Sequence, residues 1–184
     1  MADKQEGSLT AAGALDGTEG VVVVQGSNSR GATTGHIKYA GHVGALVKKS
    51  ANLTGQNTTG DVAVAWDAET YDYGTWHDTV TNNSRLTVPS GVSRVRVMGQ
   101  VTLANVTASN IITATIRKNG SAAYDGVGQV NTANGGTTVV TQVETAILEV
   151  SAGDYFELYI KASSDTSIDY TAAGCWFAIE KISE

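Results

Sequence analysis

Residues 145–162 read Thr-Ala-Ile-Leu-Glu-Val-Ser-Ala-Gly-Asp-Tyr-Phe-Glu-Leu-Tyr-Ile-Lys-Ala. The stretch predicts a strand, a tight turn and a second strand. Ser151-Ala152-Gly153-Asp154 has turn chemistry, with Gly153 free to take a positive φ. After the turn the residues alternate: Phe156, Leu158 and Ile160 on one face, Tyr155, Glu157, Tyr159 and Lys161 on the other. Period two is the mark of a half-buried strand. Two tyrosines on the polar face fit either cross-strand pairing on an exposed sheet or a subunit interface.

The same pattern runs outward from there. Val62, Val64 and Trp66 alternate with small and polar residues. Val95, Val97, Gly99, Val101 and Leu103 alternate with Arg94, Arg96, Met98, Gln100 and Thr102, the longest clean strand of the chain. A strand at 111–117 runs into Lys118-Asn119-Gly120, a hairpin signal. Residues 138–150 predict another strand, and 174–182 close the chain. Counted together, residues 62–184 hold about eight to ten short strands and no helix, which predicts an all-β fold, a two-sheet antiparallel jelly roll.

Composition agrees. The chain has 184 residues, with Gly 21 and Pro 1, and is rich in Val and Thr. A net charge of −6 and a pI near 5.0 argue against a nucleic-acid-binding surface. No apolar run is long enough to span a membrane, and the first residues lack the apolar segment of a signal peptide. The single cysteine, Cys175, excludes an internal disulfide and sits in an apolar run, where it reads as a small buried hydrophobe.

Residues 1–60 read as an extended docking arm and linker, and 61–184 as the jelly-roll domain. The arm holds one strongly apolar run, Val21-Val22-Val23-Val24, followed by Gln25. Four β-branched residues in a row favour a strand. Both of its faces are apolar, so it calls for cover that its glycine-rich surroundings do not supply. His36 and His42 do not have metal-pair spacing on a helix and read as incidental.

Several segments, taken in order, resemble the globular heads of the complement and tumour-necrosis-factor superfamily. They are Tyr71-Asp72 with Gly74 and Trp76, Leu86-Thr87-Val88-Pro89 with Gly91-Val92, Lys118-Asn119-Gly120, Leu148 with Ala152-Gly153-Asp154, and the closing run from Gly174 to Ile182. The resemblance covers residues 62–184 and implies a ten-stranded jelly roll assembled as a homotrimer, with Tyr155, Tyr159 and Trp176 as its expected contacts. One departure is that Ser93-Arg94-Val95-Arg96-Val97 stands where such heads carry Tyr-x-Phe. The arm, from Ala14 through Val21–Val24 to Gly26, with Arg30 and Thr33-Thr34 beyond, resembles a segment near the start of bacteriophage virion proteins of the tail-fibre, head-fibre and decoration types.

No catalytic set stands out. His77 neighbours Asp78, but no Ser or Cys lies in a nucleophile-elbow context. No phosphate loop or paired-cysteine metal site occurs, so no cofactor and no metal is expected. Asp165 and Asp169 with Ser163 and Ser164 could form a calcium loop, though solvated loop acids are commoner. Arg94, Arg96, Arg117 and Lys118 could meet a carboxylate or glycan, or form a solvated face. Trp66, Tyr71, Tyr73 and Trp76 could line a sugar-binding surface or be packing residues.

These readings converge on a non-enzymatic structural protein on the outer surface of a phage particle. It would be a homotrimeric capsid decoration or cement protein whose arm docks on the major capsid protein or another virion protein. The alternative is a short tail or head fibre that binds host surface carbohydrate through the aromatic cluster. An enzyme such as a capsule depolymerase would need a carboxylate pair that does not stand out.

Overall fold

The computed structural model describes residues 20–25, 28–33, 43–56, 60–121, 127–131, 137–164 and 167–183, and the chain divides into two units, Met1–His42 and Val43–Glu184. In the first unit β1 (Gly20–Gln25) pairs antiparallel with β2 (Asn28–Thr33), from Gly20 opposite Thr33 to Gln25 opposite Asn28. The valine run is a strand, as its β-branched residues require. Its hairpin partner is the segment that follows it.

The second unit, the head, is built from strands throughout. In chain order they are β3 (Gly44–Lys48), β4 (Leu53–Gln56), β5 (Val62–Ala63), β6 (Ala68–Tyr73), β7 (Arg85–Thr87), β8 (Arg94–Val106), β9 (Ile111–Lys118), β10 (Val127–Asn131), β11 (Thr137–Glu144), β12 (Leu148–Glu149), β13 (Tyr155–Ala162), β14 (Ile168–Tyr170) and β15 (Trp176–Ser183). A single 3-10 turn at Ala172–Gly174 is the one helical piece among the described residues. The small sheet runs β10-β9-β13-β5, with β7 also on β13. The large sheet runs β4-β14-β8-β15-β3-β6, with β11 and β12 on the remaining edge of β8.

Alternation decides which residues meet between the sheets. Val95, Val97, Val101 and Leu103 of β8 and Phe177 and Ile179 of β15 are buried, as are Phe156, Leu158 and Ile160 of β13 and Ile112, Ala114 and Ile116 of β9. The approach is closest at Gly99, where an added Cβ would sit 3.0 Å from both Leu158 and Phe177. The two inner faces therefore close into one continuous core.

Three sequence expectations change. The boundary moves from 60/61 to 42/43, because β3 pairs with both β15 and β6, and β4 with β14, inside the large sheet. The glycines that interrupt the pattern around β3 are part of its fit: a Cβ on Gly44 would lie 2.2 Å from the Ile179 carbonyl oxygen. Second, residues 145–162 are not a hairpin. β12 pairs with β8 in the large sheet and β13 with β9 in the small one, so the Ser151–Asp154 turn carries the chain from one sheet to the other. Third, the strand expected at 138–150 is broken. Thr145 donates its N–H to the Val97 carbonyl (2.9 Å) while its hydroxyl accepts the Val97 N–H (3.1 Å). That closure ends β11 and turns Ile147 out to 55% exposure.

The crossing turn is clipped to the Asn119-Gly120 turn. Both residues of the latter have positive φ, 54° and 72°, as a type I′ turn requires. Asp154 accepts hydrogen bonds from Asn119 Nδ2 (2.8 Å) and the Ser151 N–H (2.9 Å), and pairs with Lys118 Nζ at 2.8 Å. Burial pushes the Asp154 carboxyl up, but the bonds from Asn119, Lys118 and Ser151 outweigh it and hold it below its ordinary value.

A chain starting at residue 43 is expected to fold and melt cooperatively by circular dichroism, whereas one starting at residue 61 lacks β3 and β4 and will not. Gly44→Ala should cost about 1–3 kcal/mol in urea titration. A depressed carboxylate contributes stability above its unfolded pKa and loses it on acidification. Below roughly pH 4, the head should therefore lose stability more steeply than its Asp154→Asn variant.

Candidate functional site

Each sheet also has an outward face, and the two differ. On the small sheet the cross-strand row is Arg85, Glu157, Arg117. The Arg85 guanidinium lies 4.0 Å from the Tyr155 ring centroid, and that of Arg117 4.1 Å from Tyr159. Such stacks are cation–π contacts. Glu157 is buried beneath them and accepts hydrogen bonds from Ser84 Oγ (2.7 Å), Arg85 Nε (3.3 Å) and Tyr159 OH (3.2 Å). Arg117 also pairs with Asp61. Burial and the neighbouring Glu157 carboxylate push the Tyr159 phenol up. The tyrosine face that stood out in the sequence is thus covered from within the chain.

On the large sheet the outward face is an uninterrupted row across five strands: Tyr71, Leu46, Ala178, Met98, Glu144. Beside it runs Lys48, Trp176, Gln100, Gln142. Tyr71, Leu46, Met98 and Trp176 are half-buried around Ala178, which is the floor at 5% exposure. They line a trough of about 650 Å³, with Lys48 and Glu180 at its rim. A second hollow of about 350 Å³ lies beyond Trp176, toward Gln142 and Glu144. Trp176 is the ridge between them. Tyr71 stacks on Tyr73 at 5.4 Å, and its phenol is pushed up by burial and by Glu180.

The expected trimer contacts do not share a surface. Tyr155 and Tyr159 belong to the small sheet and Trp176 to the large one, because β13 and β15 lie in different layers. The aromatic cluster also divides. Trp66 is fully buried and stacks on Phe177, with centroids 5.9 Å apart. Trp76 is 1% exposed and donates its indole N–H to the Tyr73 carbonyl at 3.1 Å. Neither indole can stack on a sugar, and only Tyr71 and Tyr73 of the four reach the surface.

The other candidates separate as well. Arg94 and Arg96 are on the large sheet and Arg117 and Lys118 on the small one. Asp169 accepts from the Gly55 N–H and from Asn105, while Ser163 and Ser164 turn to Asn110. Asp165, His36, His42 and residues 1–19 of the arm lie outside the described residues. The His77 ring is fully buried, Nδ1 facing Glu69 at 2.8 Å and Nε2 facing the Asn83 carbonyl at 3.1 Å. Cys175 is buried against Thr102, and burial pushes its thiol up. Among the described residues no three His, Cys, Asp or Glu side chains come together as a metal site.

Sequence reasoning missed Leu46, Met98 and Ala178. Met98 carried a signal, as the one large apolar residue on the otherwise polar face of β8. It also missed Lys49, buried at 7% exposure with its ammonium 5.8 Å from the Tyr170 ring centroid, where burial lowers its pKa.

The comparisons fit this architecture. No protein-family model matches the sequence, and no curated protein does. A crystal structure of murine APRIL matches at TM-score 0.54 and 11% identity, over 77% of this chain and 99% of that one. The globular domain of zebrafish complement 1qA protein matches at TM-score 0.56 and 11% identity, over 77% and 97%. The fold is a complement- and tumour-necrosis-factor-like jelly roll. At such identities the likeness is one of fold.

Trp66→Ala is expected to cost about 3–5 kcal/mol of stability, while Tyr73→Ala should stay within about 0.5 kcal/mol. Chemical denaturation of the two variants checks both values.

Proposed function

We propose that the chain is a non-enzymatic structural protein of a bacteriophage particle, a homotrimeric decoration or cement protein on the outer capsid surface. The observation that carries this reading is the contrast between the two outward faces. One is closed by its own arginines, and the other leaves Trp176, Tyr71, Leu46 and Met98 around an open trough. Burying one such side chain is worth about 1.5–3 kcal/mol, and an exposed charge pair about 0–1 kcal/mol. Apolar burial therefore contributes more to self-association than the rim charges do, and those charges set orientation.

The arm supports the second half of the proposal. A two-stranded hairpin is marginal on its own in water, and β1 and β2 pair with each other in a unit distinct from the head. A valine strand that pairs, among the described residues, with β2 alone suits β-augmentation of a capsid or other virion protein, and three arms on one trimer multiply a weak contact through avidity. The resemblance of residues 14–26 to virion proteins points the same way. The engaged state of His77 and the buried thiol of Cys175 favour a role without catalysis. The fibre reading, with a host glycan as ligand, now rests on Tyr71 and Tyr73.

The test is co-sedimentation with purified phage heads, using the full chain and residues 43–184. The full chain should pellet with the heads, and the truncated one should stay in the supernatant. Equal pelleting of both would remove the arm from its anchoring role. Absence of pelleting, with binding of the head to host cells, would favour the fibre.

A further inference from the structure

The segment between β6 and β7, residues 74–84, carries no strand, yet it is held at many points. Asp72 accepts the N–H groups of Trp76 (3.0 Å) and His77 (3.1 Å). The His77 ring joins Glu69 to the Asn83 carbonyl. Asp78 Oδ1 accepts the N–H groups of Val80 (2.8 Å) and Thr81 (2.9 Å). Arg85 donates its backbone N–H to the Asn82 carbonyl, and Thr87 to the Trp76 carbonyl. Within this frame Thr75 and Asn82 hold positive φ, 58° and 55°. For a β-branched threonine that is a strained backbone. Such strain persists where the surroundings over-determine it, and it clusters at ligand sites.

A hollow of about 230 Å³ opens between this loop and β7, and it shares no lining residue with the trough. Asp78, Thr81 and Asn82 line it from the loop, and Arg85 and Thr87 from β7. Among the described residues the side chains of Thr81, Asn82 and Thr87 make no hydrogen bond. The hollow thus offers two hydroxyls and an amide, beside one cation and one anion. A phosphate would face Asp78, whose carboxyl the N–H groups of Thr81 and Val80 hold below its ordinary value. An apolar ligand would cover these polar groups without pairing them. A ring of hydroxyls both donates and accepts, and so matches such a mixed lining. Val80, 87% exposed beside Thr81, offers apolar contact for the C–H face of that ring. The volume lies below the roughly 300–1,000 Å³ of drug-sized pockets, which limits the occupant to one ring. We infer that this hollow is a carbohydrate site that takes one neutral sugar ring. It is independent of the assembly proposed above, and neither Tyr71 nor Tyr73 lines it.

Titration of the full chain with glucose, galactose and N-acetylglucosamine, followed by amide NMR, tests the inference. At least one of the three should bind with a Kd on the order of 1–10 mM and shift amides within residues 75–87. Thr81→Val and Thr87→Val each remove a hydroxyl and keep the side-chain shape. Both residues are exposed, and a thermal melt checks that the double variant is folded. That variant should bind the sugar about tenfold more weakly or worse. No shift with any of the three sugars at about 100 mM, far above that range, would overturn the inference. So would equal binding by the wild type and the double variant, or binding lost in Tyr73→Ala and kept in the double variant, which would put the sugar on the tyrosines. Inorganic phosphate titrated in parallel should leave these amides in place. Phosphate shifts there without sugar shifts would make the hollow an anion site and overturn the inference as well.

Discussion

The structure depends on the contact of two sheets across Gly99. Leu158 of the small sheet and Phe177 of the large one meet over a position with no room for a side chain, and Trp66 stacks on Phe177 from the flank. Once those faces are committed to each other, strand alternation leaves no freedom outside. Every second residue of β8, β13 and β15 must turn outward. The composition of those outward positions is what distinguishes a closed surface from one that can recruit a partner.

The two outward faces solve the exposure of aromatic residues differently. On the small sheet Arg85 and Arg117 lie over Tyr155 and Tyr159, and a buried Glu157 holds the row together. Glu157 is hydrogen-bonded by Ser84, Arg85 and Tyr159, and Arg117 pairs with Asp61, so removing this face from water would offer little. On the large sheet Trp176 stands between two hollows over a floor of Ala178. There the uncovered area is apolar and the shape concave, which is the combination that gains most from a partner.

Much of this is legible in the sequence. The alternation of 94–106 identifies the core face of β8, and positive-φ chemistry identifies the turns at Asn119-Gly120 and Gly153. What stays hidden is pairing. Turn residues 151–154 look the same whether the next strand pairs with the last or crosses to the other sheet, so a crossing reads as a hairpin. β3 is hidden because Gly44 reads as a breaker, when its role is to let the Ile179 carbonyl approach. The aromatic run at 66–76 reads as one cluster because spacing does not reveal depth. Trp66 and Trp76 go to the core, and Tyr71 and Tyr73 to the surface. The trough cannot be read at all, since its residues come from β3, β6, β8 and β15 and meet through the sheet register alone.

The chain has three tryptophans. Trp66 and Trp76 are buried in the core, and Trp176 is half-buried on the large sheet. Acrylamide quenching of the full chain across a dilution series therefore reports on that face directly. Self-association through the large sheet predicts protection of all three indoles at high concentration and release of one quenchable indole on dilution. One indole equally quenchable at every concentration would contradict it.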